Sequence, residues 1–165
     1  MKAQAFQPKG RFHVEHLDKD GNLKGTYDFP NGIVDVGIND ILDVEFGSGS
    51  QSGTWYIGLI DNSGFSALDA GDTLSSHSGW SEFVSYTEAN RVEWVDDAAA
   101  SRSKTNSTTS NFSVNATGNV YGIFLSNNNV KSTGNTGILW STAAFSSVVA
   151  TANGDTLKVT YTVSG

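Results

Sequence analysis

Apolar and polar positions alternate most cleanly at 156–163 (T-L-K-V-T-Y-T-V). Leu157, Val159, Tyr161 and Val163 fall on one face, and Thr156, Lys158, Thr160 and Thr162 on the other. A period of two with one wet face predicts a strand of an antiparallel sheet. Residues 11–17 alternate less perfectly, with Phe12, Val14 and His16 on one face and His13, Glu15 and Leu17 on the other. The turn-rich run Asp18–Asn22 and the strand-like run 23–29 complete a predicted β-hairpin.

Pro30-Asn31-Gly32 reads as a break. After it the period changes. Ile33, Val34, Ile38, Ile41, Leu42, Val44 and Phe46 fall partly on i, i+3, i+4 spacing with acidic residues opposite, which predicts a short amphipathic helix ending at Gly47. Residues 47–53 form a flexible loop. Strands follow at 55–60, 80–86, 91–95, 111–116, 120–126, 138–140 and 143–150, before the last one. The 65–73 stretch looks irregular, with Asp72 or Thr73 placed to cap a short helical turn. The polar strip 96–110 and the Asn/Ser/Thr/Gly-rich run 127–137 read as exposed connections.

Many short strands, many turns and no βαβ alternation predict a mainly all-β fold with one or two short helices. The expected architecture is an antiparallel β-sandwich, with a jelly roll as one form it could take. At 165 residues one domain is expected, with an N-terminal arm and hairpin at 1–29 and a sandwich body at 30–165.

Aromatic residues concentrate at 54–94, which holds Trp55, Tyr56, Phe65, Trp80, Phe83, Tyr86 and Trp94. Each can bury roughly 150–250 Å². The expected core is Trp55, Tyr56, Leu59, Trp80, Phe83, Phe124, Leu157, Val159 and Tyr161.

Composition narrows the function classes. The chain carries 10 basic and 17 acidic residues, for a net charge of −7. Affinity for a phosphate backbone needs clustered Lys and Arg, so no nucleic-acid partner is expected. No apolar run is long enough to cross a membrane, and the first dozen residues lack the apolar stretch of a secretory signal. The absence of Cys excludes disulfides and thiolate chemistry.

Candidate chemistry is sparse. His77 has Asp72, Glu82 and several serines nearby, but no G-x-S-x-G elbow accompanies them. A turn that seats Trp80 explains His77 and Asp72 better than catalysis does. Asp18, Asp20 and Asn22 open like a calcium loop, but Leu23 and Phe29 stand where such a loop needs Gly and Glu. His13 and His16 would point to opposite faces of a strand and cannot share a metal. Asp35, Asp40, Asp43 and Glu45 fall on the wet side of the helix. Trp94 and Trp140, beside polar loops, are the candidates for stacking on a sugar ring. No catalytic residue, metal or cofactor is expected.

The runs Trp55, Tyr56, Gly58, Leu59, Ile60, Asp61 and Ala70, Asp72, Thr73, His77, Gly79, Trp80, Glu82, Arg91 resemble a family of tailed-bacteriophage virion proteins. Val36, Gly37, Asn39, Leu42, Asp43, Val44 and Phe46 match that family's preceding stretch, with Ile41 in place of a Leu. The resemblance runs from about Ile33 to Gly165. It implies a non-enzymatic structural protein of the virion, assembled in the host cytoplasm. The favoured role is a capsid decoration or cement protein on the outside of the head shell. Its partners would be the major capsid protein or other virion proteins, and cement proteins of this kind commonly form trimers. A tail or fibre-base component is the alternative within the class, and a carbohydrate-binding module for host attachment the alternative outside it. Phe6, Phe12, His13 and Tyr27, in the arm and hairpin, are the expected partner contacts.

Overall fold

The computed structural model describes residues 7–165. It is an all-β, antiparallel, sandwich-like fold with one helix, as expected. In chain order the elements are β1 (Lys9–Leu17), β2 (Leu23–Ile33), α1 (Asp35–Phe46), β3 (Tyr56–Asp61), β4 (Glu82–Phe83), β5 (Val92–Glu93), β6 (Ser103–Thr105), β7 (Ser110–Ser113), β8 (Gly118–Ser126), β9 (Leu139–Thr151) and β10 (Thr156–Ser164). Strand order is β4-β3-β8-β9-β2-β1-β10-β6, with β5 also on β3 and β7 also on β10.

One strand joins the two layers. β2 pairs with β1 along nearly its whole length, from Leu23↔Leu17 to Asn31↔Gly10. Its last two residues, Gly32 and Ile33, then pair with Thr142 and Ser141 of β9. Pro30-Asn31-Gly32 is therefore not a break but the place where the strand passes from one layer to the other. Pro30 is tolerated there because β9 joins β2 only from Gly32 onward, so its missing N–H costs no ladder bond on that side.

The far edge is closed by side chains and isolated bridges. Ser110 Oγ donates to the Glu93 carbonyl at 2.8 Å, and Asp96 bridges Asn106. Trp94 Nε1 donates to Asn106 Oδ1 at 2.8 Å and to the Tyr161 carbonyl at 3.2 Å. Asn106, in the strip expected to be an exposed connection, thus ties both layers together.

The main core lies between the layers. β1, β2 and β10 contribute Phe12, Val14, Phe29, Leu157, Val159 and Tyr161, and the facing layer contributes Ile57, Leu59, Ile123, Leu125 and Phe145. A second core covers the outer face of β3 and β8. There Ile60 and Phe124 pack with Val34, Leu74, Trp80 and Leu139 beneath the 62–81 loop. Burial on both faces explains why β3 and β8 read as continuous apolar runs instead of alternating.

Of the expected core, Leu59, Trp80, Phe83, Phe124, Leu157, Val159 and Tyr161 are buried. Trp55 and Tyr56 are only half-buried. Phe12, expected at a partner contact, is fully buried between Phe29 and Tyr161 and presents no surface. The hairpin it belongs to is not a separable arm, because β1 sits between β2 and β10. Tyr27 is half-buried and stacks on Phe145, while His13 is partly exposed beside Asp28. Phe6 lies outside the described residues. The expected strands 138–140 and 143–150 are one strand, β9, and no helical turn forms at 65–73.

Candidate functional site

α1 leaves the end of β2 and lies over β9. Val34 N–H donates to the Trp140 carbonyl at 3.2 Å and Asp35 N–H to the Ala70 carbonyl at 2.8 Å, fixing where the helix starts. Gly37 makes the close approach possible, since a Cβ there would collide with the Trp140 carbonyl. The acidic Asp35 in the first turn suits the positive end of the helix dipole. The helix closes through Gly47 N–H to the Asp43 carbonyl at 3.1 Å.

The apolar residues of α1 do not all face the core. Gly37 is its only buried residue. Ile41 and Val44 are half-buried. Ile38, Leu42 and Phe46 are exposed at 36%, 49% and 82%, forming one row at i, i+4 and i+8. A row of large apolar side chains left in water is a mark of an interaction surface.

Beside the row lies a cleft of about 760 Å³ between α1 and the open end of the sandwich. Trp55, Trp94, Trp140 and Tyr161 line it, with Asp40, Ile41, Val44, Glu45 and Phe46 contributed by α1, so the row and the cleft share Phe46. Trp55 and Trp140 meet edge to face at 5.7 Å, and Trp94 meets Tyr161 at 5.4 Å. Trp140 Nε1 donates to the Tyr161 hydroxyl at 3.2 Å, and Asn31 Nδ2 donates to the same oxygen at 3.0 Å. Burial raises the Tyr161 phenol pKa, so it stays neutral and serves as a fixed support for Trp140. Lys104 pairs with Asp96 at the rim. Burial, followed by the nearby Asp43 charge, raises the Asp40 carboxyl pKa.

Trp94 and Trp140, singled out as sugar-stacking candidates, thus come together at one cleft, joined by Trp55. Trp94 itself is buried. The other candidates are occupied elsewhere. His77 stacks on Trp80 with centroids 3.9 Å apart, and its Nδ1 lies 3.0 Å from the Trp80 carbonyl. A carbonyl only accepts, so that nitrogen carries a proton. Asp72 accepts the Trp80 indole N–H at 2.9 Å and the Asp69 N–H at 3.1 Å. Glu82 takes a two-pronged contact from Arg91, Nε at 2.9 Å and Nη2 at 3.0 Å. Asp72, His77, Trp80, Glu82 and Arg91 therefore anchor the 62–94 segment to the sheet.

His13 and His16 point to opposite faces, as their spacing requires. His13 lies 3.1 Å from Asp28, whereas His16 Nε2 lies 2.7 Å from Asp155 Oδ2 in the interior. Asp155 also receives Lys24 at 2.6 Å and the Ala152 N–H at 2.8 Å. Burial works against its charge, but these donors prevail and lower its pKa to about 2. Asp18 accepts the backbone N–H groups of Asp20 and Asn22, closing the β1–β2 turn. Among the described residues, no three His, Asp or Glu side chains are grouped to hold a metal. No helix among them is long and apolar enough to cross a membrane.

Sequence reasoning missed the exposed row on α1. Amphipathic spacing was visible, but spacing does not say which apolar positions the chain itself covers. No protein-family model matches the chain, and no curated protein matches it.

Proposed function

We propose that this chain is a non-enzymatic structural protein of a bacteriophage virion, placed on the outside of the head shell as a decoration or cement protein. The observation that carries the reading is the exposed row Ile38, Leu42 and Phe46 beside an aromatic cleft. A soluble chain gains by covering such a surface on a partner. The partner is the major capsid protein or another virion protein, and the chain acts as a trimer, a closed arrangement that suits three-fold positions. The family resemblance of 33–165 supports the virion assignment. The engagement of His77, Asp72 and Glu82 in seating Trp80 and Arg91 supports a structural role. The net charge of −7 suits a face turned away from packaged DNA.

Gold labelling of intact particles with an antibody against the purified chain tests the reading. Label over the head surface is the expected result. Label at the tail would move the protein to the tail or fibre base. A chain missing from purified particles would end the virion reading. A second reading, glycan binding for host attachment, draws on the half-buried Trp55 and Trp140 in the cleft. Saturable quenching of tryptophan emission by host surface glycans would favour it.

A further inference from the structure

The cleft beneath α1 has two independent properties that select a ligand. Its floor is aromatic, through Trp55, Trp140 and Tyr161, and its α1 side is acidic, through Asp40 and Glu45. Among the described residues neither Asp40 nor Glu45 forms an ion pair, and neither does Asp43 on the same helix. Among the described residues that line the cleft the one lysine, Lys104, is held by Asp96. We infer that the cleft receives a basic segment of a partner protein, which lays an apolar or aromatic side chain against Trp55 and Trp140 and brings a Lys or Arg to Asp40 and Glu45.

This inference rests on the reading that the chain docks to another protein, and it specifies the chemistry of what docks. A Lys or Arg buries its aliphatic stem along apolar surface while its charged end reaches a carboxylate. The same cation gains from the face of an indole. An acidic segment would be repelled. A neutral glycan would leave the carboxylates without a counter-charge. The indole N–H of Trp140 is already donated to the Tyr161 hydroxyl, so that ring offers apolar surface more than a hydrogen bond for a sugar hydroxyl. The volume of about 760 Å³ admits several side chains of an extended segment.

The test uses the full chain and two blocked synthetic peptides, one built from Lys, Phe and Gly and the other with Glu in place of Lys. Tryptophan emission is followed during titration. The Lys peptide is expected to bind saturably and the Glu peptide not to bind. The double variant Asp40→Asn/Glu45→Gln should weaken the Lys peptide about tenfold, as should raising the salt to screen the pairs. Trp140→Ala should weaken it as well. Because the double variant changes only helix carboxylates, an unchanged melting temperature shows that its effect is on binding. Equal binding of the two peptides, no saturable binding, or indifference to the double variant would overturn the inference. So would a chito-oligosaccharide that saturates the cleft and displaces the Lys peptide. Particle labelling judges the virion reading separately: a chain found on heads but blind to the Lys peptide loses only the cleft assignment.

Discussion

The indole N–H of Trp80 donates to Asp72 Oδ2 at 2.9 Å, with both side chains buried, while His77 stacks on the same ring at 3.9 Å. Asp72 and His77, two residues that could suggest a hydrolytic site, are thereby committed to one packing unit with Trp80. Asp72→Ala should leave the indole N–H without a partner and cost about 1–3 kcal/mol. Trp80→Ala should cost about 3–5 kcal/mol. Urea denaturation measures both, and a Trp80→Ala protein as stable as the parent would remove this residue from the core.

Arg91 and Glu82 form a buried pair, with side chains only 4% and 8% exposed. Arg91 also donates to the Asn128 and Gly134 carbonyls, at 3.0 and 3.2 Å, and so holds the 127–137 loop against the sheet. Glu82→Ala should strand a buried guanidinium and cost about 3–5 kcal/mol. Replacing both residues with apolar ones of similar volume should recover much of that loss. Losses from the two single changes that simply add in a double-mutant cycle would contradict the pairing.

Asp155 links stability to pH. Its folded pKa of about 2 lies below the ordinary carboxylate value, so its contribution is complete above about pH 4 and is lost as pH falls toward 2. Asp155→Asn should lower the melting temperature at neutral pH and flatten the decline between about pH 4 and 2. A variant with the parent's full acid-induced loss across that window would show that other carboxylates set it.

Leu42→Glu/Phe46→Glu changes two side chains that are 49% and 82% exposed. Substitutions at such positions usually stay within about ±0.5 kcal/mol. The double variant should melt like the parent and lose only its binding to the head. Light scattering coupled to size exclusion is expected to give a trimer for the parent; a parent monomer would confine trimer formation to the shell itself.

The parts of the fold most legible in the sequence are those with one wet face. β1 and β10 alternate because one side of each meets the core and the other water, and Phe12, Val14, Leu157, Val159 and Tyr161 are buried accordingly. The passage of β2 between layers was hidden, because Pro30, Asn31 and Gly32 are the residues that normally end a strand. The two-residue strands β4 and β5 are too short to show a period. The cleft is half legible in the sequence, where Trp94 and Trp140 stand beside polar loops. Their meeting with Trp55 depends on pairings far apart in sequence, such as Tyr56↔Ser126 and Ser126↔Leu139, which no local pattern encodes.

The most direct test of the central claim compares the parent and Leu42→Glu/Phe46→Glu chains in sedimentation with phage heads that lack the protein. The parent should pellet with the heads and the variant should stay in the supernatant, although both remain folded. Equal pelleting of the two would show that the α1 row is not the docking surface, and failure of the parent to pellet would contradict a place on the head.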